Sequence, residues 1–316
     1  MQKTSFIYFY KLNITSNGMH VIFVLYLFFS CFNLNSIECK SNGALNKIKL
    51  AGNYFVDSSN RVKLFHGANY VKRGYPWYPE ELTNQTVIDN LKDWGFNSVR
   101  LGVMWSGLRP DYKTVNSTYL NIIMKIINDL SERGIYVIID LHQDWMSSKF
   151  GSYDGVPRWL VDLMPNSKYP FPWPFKTHNL TLSVYLTDAC GFAFQNLYSN
   201  VNKFQDYFLE YWTIVASSLS NVTSVLSYEL INEPWSGDIY TTPDFLLPGL
   251  AGKQNLLPLY DNAYKAIRKY DNETLVMYEP VIYGNLLNGQ LVGTGFDRAP
   301  ANDSEKTVLS WHYYCS

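Results

Sequence analysis

Val225-Leu-Ser-Tyr-Glu-Leu-Ile231, followed at once by Asn232-Glu233-Pro234, is the stretch whose reading decides the fold. Apolar residues fall on both parities of the run, the pattern of a strand buried on two faces, as in a parallel sheet. Pro234 has no N–H to give to a ladder, so the strand stops there. The result is a strand that carries a carboxylic acid at its C-terminal tip, with an amide beside it.

The same grammar repeats on either side. Val62 to Tyr70, Asn97 to Leu101, Ile135 to Leu141, Leu275 to Glu279 and Thr307 to His312 read as further strands. Thr86 to Trp94, Tyr119 to Arg133, Phe204 to Leu219 and Leu256 to Tyr270 have apolar residues at helical spacing, and Gly134 supplies a C-cap. Tyr54 to Val62 reads as a small hairpin turning at Asp57 to Asn60. Strands alternating with helices argue a parallel α/β sheet, either open or closed as a (β/α)₈ barrel. No Gly-rich phosphate loop follows the first strand, which counts against a dinucleotide-binding sheet. Polar residues end nearly every strand, and in a barrel those ends converge on one face. The expectation is an incomplete (β/α)₈ TIM barrel with about six of its eight βα units. The segment Gln143 to Asn202 reads as a long loop. In it, Tyr169-Pro-Phe-Pro-Trp-Pro-Phe175 is expected to stand as a stiff extended ridge, walling a cleft or plugging the barrel.

The chain has 316 residues, 47% of them apolar, and a formal net charge of −1. That is ample for one large domain. It offers no electrostatic case for nucleic acid or for an anionic membrane. Aromatics make up 16%, which suits either a large core or a surface that stacks on sugar rings. Val21 to Phe32, preceded by Lys3 and Lys11, is too short to span a bilayer comfortably and fits a signal-peptide core. Residues 1–39 are therefore expected to be signal and leader, with 40–316 a partial catalytic domain and no integral membrane span. Sequons at Asn84, Asn116, Asn179, Asn221, Asn272 and Asn302 favour a secreted or lysosomal glycoprotein carrying N-glycans. Cys39, Cys190 and Cys315 permit one disulfide of undetermined pairing. No spacing suggests a metal or other cofactor.

Glu233 is the first candidate for chemistry. A general acid must be neutral near working pH, and burial or a neighbouring negative charge at a strand tip provides that. Asn232 can donate to a sugar 2-hydroxyl, a contact that strengthens in an oxocarbenium-like transition state. Arg100 can orient an ionised nucleophile through charge-assisted hydrogen bonds. Asp140, His142 and Asp144 close the third strand. Their spacing is a weak metal motif, and recognition of sugar hydroxyls is the more economical reading. His312 and Tyr314 follow the sixth strand on one parity.

Arg100, His142, Asn232-Glu233-Pro234 and His312-x-Tyr314, in that order, resemble glycoside hydrolase family 5. Asn69-Tyr-Val-Lys72, Leu141-His-Gln-Asp144, Asn232-Glu-Pro-Trp235 and Trp311-His-Tyr-Tyr-Cys315 look like its endoglycoceramidase branch, over about residues 45 to 316. The resemblance implies a retaining endo-β-glycosidase that cuts between oligosaccharide and ceramide in glycosphingolipids. It implies Glu233 as acid/base, Asn232 as its 2-hydroxyl partner, and Arg100, His142, His312 and Tyr314 around the nucleophile. Lys72, Asp144 and Trp235 would contact the substrate. Such an enzyme needs a second carboxylate about 5–5.5 Å from the first. The resemblance puts that nucleophile at the end of a seventh strand, beyond Ser316, so the chain is expected to be a fragment and inactive alone. Glu279 is the nearest substitute by strand order, although the family draws its nucleophile from three strands away. A family 5 β-glucanase or steryl-glucosidase-like enzyme is a neighbouring alternative. A non-catalytic glycan- or glycolipid-binding protein is one of another class.

Overall fold

The computed structural model describes residues 45–151, 155–176, 181–283, 286–287, 290–291 and 293–312. The expected leader, Asn179, Cys39, Cys315 and Tyr314 lie outside them. Among the described residues no helix is long and apolar enough to cross a membrane.

Six parallel strands form one sheet: β1 (Gly67–Tyr70), β2 (Ser98–Gly102), β3 (Tyr136–Asp140), β4 (Val225–Glu229), β5 (Leu275–Tyr278) and β6 (Thr307–Leu309). Their order in the sheet is their order in the chain, the arrangement that repeated right-handed βα units produce. They are six strands of a (β/α)₈ barrel. The long helices are α1 (Gln85–Asp93), α2 (Ser117–Glu132), α3 (Asp188–Tyr198), α4 (Phe204–Leu219) and α5 (Leu257–Arg268). Asn84 and Asn116 cap α1 and α2 by accepting from Thr86 N–H and Tyr119 N–H at 3.0 Å each. Gly134, at φ +78°, ends the turn after α2 as expected.

Alternation along the strands, with a register shift in β4 between Val225 and Ser227, sorts their side chains into two cores. Val99, Leu101, Val137, Ile139, Tyr228 and Val276 pack outward against the helices. Tyr136, Ile138, Leu226, Leu275, Met277 and Val308 pack inward, into a separate apolar cluster. The antiparallel pair Lys49–Ala51 and Tyr54–Val56 brings Ile48, Leu50 and Phe55 to that inner cluster.

Three expectations need correction. The hairpin is formed by Lys49–Ala51 with Tyr54–Val56, while the Asp57 to Asn60 turn supports only a bridge between Val56 and Val62. Gln143 to Asn202 is no bare loop, since it contains α3, capped by Thr187. Small residues in Asp188-Ala-Cys-Gly-Phe-Ala blur the helical signal. Gly191 is required because a Cβ there would sit 2.9 Å from Gly237 O. Nor is the proline-rich stretch an extended ridge. Trp173 N–H donates to Pro170 C=O and Phe175 N–H to Pro172 C=O, each at 2.9 Å, so it coils into turns. Phe171 packs inward on Phe150, while Tyr169 and Trp173 stack with centroids 4.0 Å apart.

Candidate active site

One step beyond the inner apolar cluster, the same inward positions become polar: Arg100 on β2, Asp140 on β3, Glu229 on β4, Glu279 after β5 and Ser310 after β6. Arg100, 3% exposed, sits at the hub. Its Nη1 meets Asp140 Oδ2 at 2.8 Å and its Nε donates to Glu229 Oε2. Nη2 donates to Asn232 Oδ1 at 2.9 Å and lies 3.6 Å from Glu279 Oε1. Burial by itself would favour loss of the Arg100 proton, but Asp140, Glu229 and Glu279 outweigh it and hold the guanidinium charge firmly. Burial likewise opposes charge on Asp140, and Arg100 and His142 prevail, keeping its carboxyl below the usual range. Ser310 Oγ donates to Glu229 Oε1 at 3.0 Å.

Glu279 goes the other way. Burial, then the neighbouring Glu229, outweigh Arg100 and raise its carboxyl well above the usual value. Among these inward carboxylates Arg100 is the shared cation, and Glu279 stands furthest from it.

Glu233 is 7% exposed at the rim of this layer, with φ at +43°, the left-handed region that a side chain rarely adopts. Its backbone and its carboxyl are both held. Its N–H donates to Glu279 Oε2 at 3.1 Å, its C=O accepts from Gln143 Nε2 at 3.1 Å, and its Oε1 shares a hydrogen bond with His312 Nδ1 at 2.6 Å. His312 Nε2 lies 3.4 Å from Glu279 Oε1. Asn232 donates from Nδ2 to Gln143 C=O at 2.9 Å, which fixes its amide and leaves a second N–H for a ligand. His142 Nδ1 bonds Asp140 Oδ2 at 2.7 Å, and its Nε2 lies 3.4 Å from Asp144 Oδ2. Burial disfavours an imidazolium at His142, yet Asp140 and then Asp144 raise its pKa.

The structure thus brings together Arg100, His142, Asp144, Asn232, Glu233 and His312. Tyr314 lies outside the described residues. Lys72 stands apart, paired with Glu80 at 3.3 Å, both exposed. Trp235 is 1% exposed, stacked on Tyr185 with centroids 5.6 Å apart and edge-on to Tyr283, so its ring supports the site from behind. Sequence reading missed Arg73, whose guanidinium pairs with Asp144 and reaches 3.2 Å from His142 Nε2. It also missed Gln143 and Glu229 as site residues. A signal existed for Glu229, because an acid inside a doubly buried strand demands a cationic partner.

Glu229, Glu279 and His312 place ligand-type atoms within 4.8 Å of one another. Arg100 and Ser310 already occupy Glu229, and a cation there would face the guanidinium, so the donor set fits a metal poorly. A cavity of about 20 Å³ opens between Glu233, Glu279, Trp311 and His312, room for roughly one water. A larger one, about 430 Å³, lies in the Gln143 to Asn202 excursion beside Phe150, Met164 and Phe171, and none of the strand-tip residues line it.

A carboxylic acid at a β4 tip, with an amide before it and a buried arginine beneath it, is the equipment of a barrel glycosidase. The chain belongs to glycosyl hydrolase family 5, whose cellulase model it matches over residues 56–316. It is 36% identical over 283 residues to the endoglycoceramidase of Cyanea nozakii, covering 82% of this chain and 55% of that protein. It is 34% identical over 285 residues to that of Hydra vulgaris, covering 83% and 54%. The chain therefore spans about half the length of these relatives. Among solved structures, endogalactoceramidase superposes with a TM-score of 0.67 at 24% identity, over 85% of this chain and 60% of that one. Endo-glycoceramidase II from Rhodococcus sp. gives 0.62 at 24%, over 75% and 54%. At these identities the two structures attest the fold.

Proposed function

We propose that the protein is a retaining endo-β-glycosidase that hydrolyses the oligosaccharide–ceramide linkage of glycosphingolipids. The observation that carries this is the pinned Asn232-Glu233 pair: the amide locked by Arg100 and Gln143, the carboxyl on His312. Kinship with endoglycoceramidases of 36% and 34% identity supports the choice of substrate. Glu233 protonates the glycosidic oxygen as the bond breaks, then takes a proton from water in the second step. Asn232 bonds the 2-hydroxyl. A retaining mechanism also needs a second carboxylate as nucleophile, about 5–5.5 Å from Glu233. A secretory route to a lysosomal or extracellular site fits the substrate, and Asn84, Asn221, Asn272 and Asn302 are exposed for glycan attachment.

The test is release of oligosaccharide from a ganglioside by the full-length protein. Glu233→Gln should lower kcat by about 10²–10⁴-fold. Turnover of cello-oligosaccharides or steryl glucosides in place of gangliosides would move the substrate to the neighbouring enzymes. Glycolipid binding without hydrolysis would make it a binding protein.

A further inference from the structure

Glu279 has no assigned part in the chemistry above, yet it accepts the backbone N–H of Glu233. We infer that Glu279 is a positioning residue: it holds the acid/base Glu233 in its left-handed conformation by accepting that residue's N–H. The inference rests on the glycosidase reading of the site.

The geometry is specific. Glu233 has φ +43°, a conformation that a residue with a side chain keeps only where its surroundings fix it. A residue after a strand would ordinarily hand its N–H to the neighbouring strand. Here the acceptor is a side chain, Glu279 Oε2 at 3.1 Å, delivered from the end of β5. Tyr260 Oη donates to Glu279 C=O at 2.7 Å and anchors the backbone that presents it. Glu279 is 2% exposed. Its other oxygen, Oε1, lies 3.4 Å from His312 Nε2 and 3.6 Å from Arg100 Nη2. His312 in turn holds the Glu233 carboxyl. Glu279 therefore braces Glu233 directly at its N–H, while its Oε1 only faces the imidazole that holds the Glu233 carboxyl.

Charged and titratable groups face Glu279 from every side: Arg100 on β2, Asp140 on β3, Glu229 on β4, Glu233 beyond it and His312 after β6. Asp140 and Glu229 hold the shorter contacts to Arg100. A third full negative charge so close would be uncompensated, and burial raises the Glu279 carboxyl accordingly. A neutral acid suits the role, since it still accepts from the N–H and adds no charge beside the proton donor. Glutamine has nearly the same shape and should substitute for it.

The experiment compares wild type, Glu279→Ala, Glu279→Gln and Glu233→Gln in the full-length protein on two substrates. A ganglioside has a poor leaving group and needs the acid. A dinitrophenyl β-glycoside has a good one and scarcely needs it. E279A should lower kcat/KM on ganglioside by about 10²-fold. On the activated glycoside it should lose less than about tenfold, because only the acid-assisted step suffers. E279Q should restore most of the ganglioside activity. Adding E279A to E233Q should cost little more, as the two act through one group. Equal losses of E279A on both substrates overturn the role, as does wild-type activity in E279A. So does an E279Q protein as dead as E233Q, which would instead require an ionised Glu279. A wild type that hydrolyses neither substrate overturns the glycosidase reading and this role with it.

Discussion

The two ends of the barrel interior are built on the same strands and could hardly differ more. Below, Tyr136, Ile138, Leu275, Met277 and Val308 form a dry plug closed by Ile48 and Phe55. Above, Arg100, Asp140, Glu229 and Glu279 are just as buried, all at or below 3% exposure, but ion pairs and hydrogen bonds centred on Arg100 join them. On β5 the change takes two residues, from Met277 to Glu279, one step along the inward parity. Apolar burial stabilises without direction. The upper layer gives orientation, and its net stabilisation is small once desolvation is counted. One end therefore holds the barrel together and the other holds Asn232 and Glu233 in place.

Breaking each layer in turn should separate these roles. Arg100→Met leaves Asp140 and Glu229 buried without their cation and should cost about 3–5 kcal/mol. It should also abolish activity and change the pH dependence of unfolding. Met277→Ala should cost about 2–5 kcal/mol by opening a cavity, with the pH dependence unchanged. Denaturant unfolding at several pH values reads both. Parallel pH profiles for the two variants would erase the distinction between the layers.

A finer test uses the opposed shifts within the upper layer. Asp140 is held low, so its contribution is present above the ordinary carboxylate range and is lost as pH falls through its folded pKa. Glu279 is held high. The folded state keeps that proton where the unfolded chain, ionising near 4.5, has released it. Stability from this group is therefore full below 4.5 and declines as pH rises toward the folded value, by at most about 1.4 kcal/mol per pH unit. Glu279→Gln removes that decline, so the gap in Tm between E279Q and wild type should widen from pH 4.5 upward. A constant gap would mean that Glu279 is ionised in the folded protein.

Much of this was legible in the residues alone. Continuous apolar runs bounded by caps gave six strands and their helices, and α4 falls on Phe204–Leu219 as its spacing indicates. Strand ends read long, since Ile231 and Trp311 continue the apolar pattern after the ladder has stopped. Glu233 and Asn232 were visible because a proline punctuates them. Gln143 was not, because its bonds to the backbone of residues 232 and 233 depend on how β3 lies beside β4, a register no local pattern encodes. Trp235 shows the limit of aromatic reasoning: a tryptophan beside the acid could face sugar or core, and only packing decides for the core.

Lys72 and Arg73 carry the smallest contrast. They are neighbours, about equally exposed at 40% and 41%, yet only Arg73 reaches the charged layer. Its partner Asp144 is buried, and His142 and Arg73 overcome that burial to hold the carboxyl far below its usual range. Glu80, the partner of Lys72, is 60% exposed. Lys72→Ala should therefore change stability by under about 0.5 kcal/mol, and Arg73→Ala by about 1 kcal/mol after allowance for solvent screening. Salt should erase the first effect and only reduce the second. Kinetics asks a separate question: if Lys72 contacts sugar, as the family likeness implies, K72A raises KM and leaves kcat alone. Equal stability losses for the two variants at high salt would mean that the charged layer ends at Asp144, with Arg73 no more part of it than Lys72.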